Sequence, residues 1–160
     1  MASSRVRSAL GSGLFLVVAP GVVAGQIPWW LTGWEAGTTW PPLQLLGAGV
    51  IVLVDAFVRF VVEGIGTPAP IAPTQRLVVG GLYRHVRNPM YLAVGATIVG
   101  QALLLGRPIL LLYAAAFAVV VVAFVRGYEE PTLARQFGAE YEDYRRAVPG
   151  WWPRLRPWRG

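Results

Sequence analysis

The sequence has no cysteine, no lysine and only one histidine. Without cysteine there can be no disulfide framework, iron–sulfur ligation or thiol nucleophile. A single histidine argues against a zinc centre, which draws on several Cys or His ligands, and no metal is expected. Charge is scarce as well: 14% of residues are charged, where a soluble domain carries about 25%. The shortage is concentrated in long uncharged stretches, which places the chain in a bilayer instead of around a soluble core. The net charge is +6, and arginine alone supplies the basic side chains. These arginines flank apolar segments and form no patch interleaved with polar loops. Nucleic acid is therefore not expected as a partner, whereas anionic lipid headgroups are.

What the chain does have is apolar length. Segments near residues 10–27, 43–62, 90–105 and 109–125 each approach the ~17–25 residues that a membrane helix needs. The expected fold is all-α: a single polytopic membrane domain of about four transmembrane helices, with an amphipathic helix at the cytoplasmic face. The first segment is longer than the apolar core of a secretory signal and leads directly into Pro28, Trp29 and Trp30. It reads as a retained span, kinked at Pro20 and Gly21. Only Gly106, Arg107 and Pro108 separate the third segment from the fourth, so these two form a tight antiparallel hairpin.

Orientation follows from the arginines. Arg5 and Arg7 precede the first span, Arg76, Arg84 and Arg87 lie between the second and third, and Arg126, Arg135, Arg145, Arg146, Arg154, Arg156 and Arg159 follow the fourth. The connection from Pro28 to Pro42 has no basic residue, but it has Glu35 and the tryptophans Trp29, Trp30, Trp34 and Trp40. That composition suits an outer interface. Both termini are expected on the cytoplasmic side of what reads as a prokaryotic plasma membrane. Pro68, Pro70 and Pro73 keep residues 64–81 from forming a continuous helix. In the tail, Leu133, Phe137, Tyr141 and Tyr144 recur at helical spacing and predict an amphipathic helix over Glu129–Ala147 that ends at Pro149 and Gly150. Trp151, Trp152 and Trp158 among arginines read as an interfacial anchor.

Three groups of residues can carry chemistry. Asp55, Arg59 and Glu63 stand four residues apart on one face of the second span, where ionisable groups are costly and are candidates for function. Asn88-Pro89 opens the third span. The proline suits a first helical turn, whose free N–H groups and dipole favour an anion, and Tyr83 and Tyr91 flank it. Glu129-Glu130 follows the fourth span. The hairpin goes out and returns, so its two ends, and with them the Asn-Pro turn and the Glu pair, lie at one membrane face. A cationic ligand bearing both a carboxylate and an amine meets matched groups there. His85 reads as an interfacial polar residue, not as a general base.

The run from Gly81 to Tyr91, then Glu129-Glu130, then Phe137-Gly138-Ala139-Glu140-Tyr141-Glu142-Asp143-Tyr144 resembles the isoprenylcysteine carboxyl methyltransferases and the related phospholipid methyltransferases, over about residues 66–155. The resemblance implies a membrane-embedded methyltransferase that uses S-adenosylmethionine, releases S-adenosylhomocysteine and acts on a lipophilic acceptor. Such an acceptor could be the carboxylate of a prenylcysteine-like or other small lipid. Carried over by position, residues 66–160 form the cofactor-binding region. Gln75, Arg76, Leu77, Val78, Tyr83, Asn88, Pro89, Met90 and Tyr91 line the cofactor, Glu129 and Glu130 bind its cationic end, and Arg126 faces the acceptor. Asn88 stands where the family usually has histidine, and Val125 where prenylcysteine enzymes place an arginine. Three alternatives remain open: a phospholipid amine N-methyltransferase, an NADPH-dependent membrane reductase of sterol-reductase-like architecture, and a non-catalytic membrane scaffold. Nothing in the sequence gives the oligomeric state.

Overall fold

A computed structural model describes residues 18–33, 50–51, 54 and 76–160. From Val18 the chain is helical through Pro20 into a π-helical turn, Val22–Gln26, and then into helix α1 (Ile27–Thr32), which Gly33 closes at φ 62°. The wide turn follows the expected kink at Pro20-Gly21, and its hydrogen bonds explain how the helix is held. The Ile27 N–H reaches back to Val22 O instead of Val23 O. Pro28 has no N–H to give Ala24, four residues earlier. Both carbonyls are met from outside the helix. The Tyr113 hydroxyl donates to Val23 O at 2.8 Å and Gln101 Nε2 donates to Ala24 O at 2.5 Å. Pro28, Trp29 and Trp30 lie within α1, so the helix extends past the boundary predicted at residue 27 and into the expected outer connection.

Helix α2 (Pro89–Leu105) and helix α3 (Ile109–Phe124) form the predicted hairpin, with Gly106 at φ 60° making the left-handed turn that a side chain disfavours. Val94, Ile98, Ala102 and Leu105 fall on one face of α2 and pack with Leu110, Ala114 and Phe117. The outer face of α3 is bare, with Leu112, Val119 and Val120 each about two-thirds exposed. Such a face suits hydrocarbon. Every regular element among the described residues is helical, in keeping with the all-α expectation. The expected count of four spans is not reproduced. Among the described residues one helix, Ile109–Phe137, is long and apolar enough to cross a membrane, and Pro89–Leu105 is a shorter apolar helix. The expected second span, with Asp55, Arg59 and Glu63, lies outside the described residues apart from Val50, Ile51 and Val54. Arg5, Arg7, Trp34, Glu35 and Trp40 also lie outside them.

Two further boundaries differ from expectation. The fourth span does not stop at Val125; it passes through a second π-helical turn, Val125–Glu129, into helix α4 (Glu130–Phe137). The tail is two helices, not one, because Gly138 takes φ 53°, ψ −126°, a conformation essentially closed to side chains. Helix α5 (Ala139–Ala147) starts there. The bend keeps the predicted stripe together: Tyr141, Tyr144 and Val148 are buried against Leu133, Phe137, Leu77, Val79 and Trp158.

Candidate functional site

Residues 81–88 and the C-terminal segment are joined mainly through backbone atoms. Gly81–Arg84 make a 3₁₀ turn. The Tyr144 hydroxyl donates to Tyr83 O at 2.7 Å, Trp158 N to Arg84 O at 3.0 Å, and Arg154 N to His85 O at 2.9 Å. His85 Nδ1 lies 2.7 Å from Arg154 O. A carbonyl only accepts, so that nitrogen carries the proton, and the ring fastens the tail as an interfacial polar residue would. Arg87 N donates to Pro149 O at 2.9 Å. Asn88 has φ −120°, ψ 52°, outside the helical region as expected before proline, and Pro89 begins α2. The Asn88 amide donates to Gly150 O at 3.0 Å and does not cap the helix.

Arg87 occupies the centre of this arrangement. Its Nη1 donates to Glu130 Oε1 at 2.6 Å and to the Tyr141 hydroxyl at 3.1 Å, while its Nε donates to Val148 O at 2.9 Å. Glu130 also faces Arg145 at 3.9 Å. Among the described residues Glu129 has no such cation. It accepts a hydrogen bond from the Tyr91 hydroxyl, and its Oε2 is buried without a hydrogen-bond partner. An unpaired buried carboxylate oxygen is costly, and it marks a place where a cationic ligand fits. Beside it, Tyr91 forms part of the wall of an apolar cleft of about 90 Å³ lined also by Ala19, Pro20, Val23, Met90, Val94 and Phe117. In the tail, burial pushes the Tyr141 and Tyr144 phenols above 10; Arg87 opposes the shift at both. These hydroxyls remain protonated donors or acceptors at neutral pH.

The sequence profile of the phospholipid methyltransferase family matches residues 42–140. The chain belongs to this family. No curated protein and no solved structure matches it. Membership makes it a membrane methyltransferase by family, and the long apolar α3 is in keeping with that.

Within this phospholipid methyltransferase family member, the hairpin brings Tyr91 against Glu129 and Arg87 against Glu130, while Asn88 turns to Gly150. The predicted residues nonetheless have different surroundings. Tyr91 and Met90 reach the cleft next to Glu129. Val78 and Tyr83 are buried in a small apolar cluster with Met90, and Leu77 packs into the tail core. Arg76 is exposed, and Gln75 lies outside the described residues. Arg126 is exposed on the second π-helical turn. The hub role of Arg87 is not evident from the sequence. One signal is there: an arginine directly before Asn88-Pro89, at the membrane face where the topology places two glutamates. In sequence Gly150 reads only as a helix stop.

Proposed function

We propose that the chain is an S-adenosylmethionine-dependent methyltransferase acting on a lipophilic acceptor at the cytoplasmic face of the membrane. The observation that carries this reading is Glu129. It is a buried carboxylate with one unpartnered oxygen, held by Tyr91, on a family member whose helical hairpin returns it to the Asn88-Pro89 turn. A buried carboxyl group with an orphaned oxygen gains from a cationic ligand, which favours its ionised form, and has no use for the negative charges of a dinucleotide phosphate. S-adenosylmethionine supplies an electrophilic methyl group on a positively charged sulfur. Glu129 is suited to hold the cationic end of the donor, with the Tyr91 hydroxyl fixing the carboxylate's direction. The first-turn N–H groups of α2, left uncapped by Asn88, favour the donor's own carboxylate. The apolar cleft beside Tyr91 excludes water and offers room for hydrocarbon. Transfer to a carboxylate or neutral amine then needs alignment and dryness more than proton transfer. Arg126, at the edge of this region, is the candidate for facing the acceptor head.

The test is a calorimetric titration with S-adenosylhomocysteine and, separately, NADPH. The wild-type chain is expected to bind the first and not the second. Glu129→Gln is expected to weaken binding by roughly ten- to a hundredfold, the loss of one charge-assisted contact. Unchanged affinity in that variant would sink the reading.

A further inference from the structure

Glu129 and Glu130 are chemically identical neighbours with opposite surroundings. Glu130 is neutralised by Arg87, the two side chains being 15% and 16% exposed, while Glu129 keeps a free buried oxygen. Arg87 does more than pair. Through Nη1, Nε and its backbone N–H it reaches Glu130 at the start of α4, Tyr141 on α5, and the carbonyls of Val148 and Pro149 beyond it. These contacts exist together only when the tail is seated on residues 83–88. The strap passes very close. A Cβ on Gly150 would lie 3.2 Å from Arg87 Nη2 and 3.6 Å from Asn88 Nδ2. The family match ends at residue 140, so the strap half of this latch, Tyr141 and Val148 to Gly150, lies outside it.

We propose that Arg87 is a positioning residue that couples the docking of residues 141–158 to the selection of Glu129 as the cation acceptor. With the latch closed, Glu130 is satisfied by Arg87 and a ligand's positive charge has one carboxylate to meet. With the latch open, Arg87 loses Tyr141, Val148 and Pro149 as anchors and Arg145 leaves with α5, so Glu130 is no longer held neutralised and competes with Glu129 for the cation. The bound charge is then no longer fixed in one place. Docking and binding therefore favour each other, and linkage makes the coupling reciprocal. This inference rests on the assignment of Glu129 above.

The experiment uses the full chain in lipid nanodiscs, with hydrogen exchange over residues 139–158 and calorimetric affinity for S-adenosylhomocysteine. Arg87→Met removes the clasp and leaves Glu130 as a carboxylate free to compete with Glu129. Gly150→Ala crowds the strap and touches neither carboxylate, so it serves if Arg87→Met, with its unmatched Glu130, does not fold. In the wild-type chain the ligand is expected to slow exchange in the tail. Both variants are expected to exchange faster there without ligand and to bind about tenfold more weakly. Wild-type affinity together with a loosened tail would overturn the coupling, and an unaltered tail would overturn the latch. Glu129→Gln separates the two ideas: it should lose the ligand and keep the unliganded tail protected. Wild-type affinity in Glu129→Gln removes the functional reading, and the coupling falls with it.

Discussion

In the α2–α3 hairpin, Val94, Ile98, Ala102 and Leu105 meet Leu110, Ala114 and Phe117 through shape alone. Between residues 83 and 158, by contrast, most of the cohesion is directional, with carbonyls of residues 83–85 and 147–150 received by named donors. The difference follows from solvent. Inside hydrocarbon a polar group without a partner is expensive, so a membrane hairpin satisfies itself along its own backbone and packs with aliphatic and small side chains. At the interface water competes for every polar group, and fixed geometry has to come from buried, charge-assisted contacts such as those of Arg87. The hairpin is therefore tolerant of side-chain identity, and the latched tail is not.

The sharpest way to separate the two regions is alkaline pH. Burial holds the Tyr141 and Tyr144 phenols above 10, against the charge of Arg87 at both; at Tyr141, Glu130 adds to the rise and Arg145 opposes it. Below pH 10 both phenols are protonated in folded and unfolded chain alike, and the stability linked to them is fully present. Above pH 10 the unfolded chain loses protons first, so that stability drains away as pH climbs toward the folded values. Tail protection measured by hydrogen exchange at matched intrinsic rates should fall above pH 10 while the helicity of the hairpin persists. Simultaneous loss of both would show that they are one cooperative unit. Gly138→Ala comes next. Its φ 53°, ψ −126° should cost about 1–3 kcal/mol by strain alone, because nothing crowds the added methyl; denaturant midpoints of tail unfolding would reveal it. Tyr113→Phe removes one hydroxyl from Val23 O and should cost about 1 kcal/mol, read as a lower thermal midpoint with the tail unaffected. Gly95→Ala is the smallest: its methyl would sit 3.9 Å from the Phe117 ring, an ordinary contact, and stability should change by less than about 1 kcal/mol. A large loss there would mean that the hairpin is as exacting as the tail.

The two regions were also unequally legible in sequence. The hairpin could be read almost to the residue, since Pro89, Gly106 and Pro108 punctuate apolar runs whose interiors have no competing signal. That the start of the third span and the Glu pair share one end of the hairpin follows from topology, although Arg87 and Tyr91, and not Asn88, are what meet the glutamates. The inequality between Glu129 and Glu130 does not follow from it, because it depends on which carboxylate Arg87 reaches, a matter of ångströms and helix phase. The tail stripe of Leu133, Phe137, Tyr141 and Tyr144 was visible as a period. The break at Gly138 inside it was not, since a lone glycine within a helical pattern is compatible with an unbroken helix. Likewise the helix was expected to end at Val125, where hydropathy drops, although backbone geometry has no need to follow hydropathy.

The π-helical turn Val125–Glu129 holds one residue more than an α turn. The wider turn takes up that residue locally, so the helix keeps nearly the same phase on either side of it. An in-frame loss of the single codon for Gly127, whose surroundings are open, would let an ordinary α turn close there, keep the apolar stretch from Ile109 to Val125 intact and leave the acidic pair on nearly the same side of the rod. A residue added within α3 itself would not be absorbed in this way and would turn the pair by about 100°.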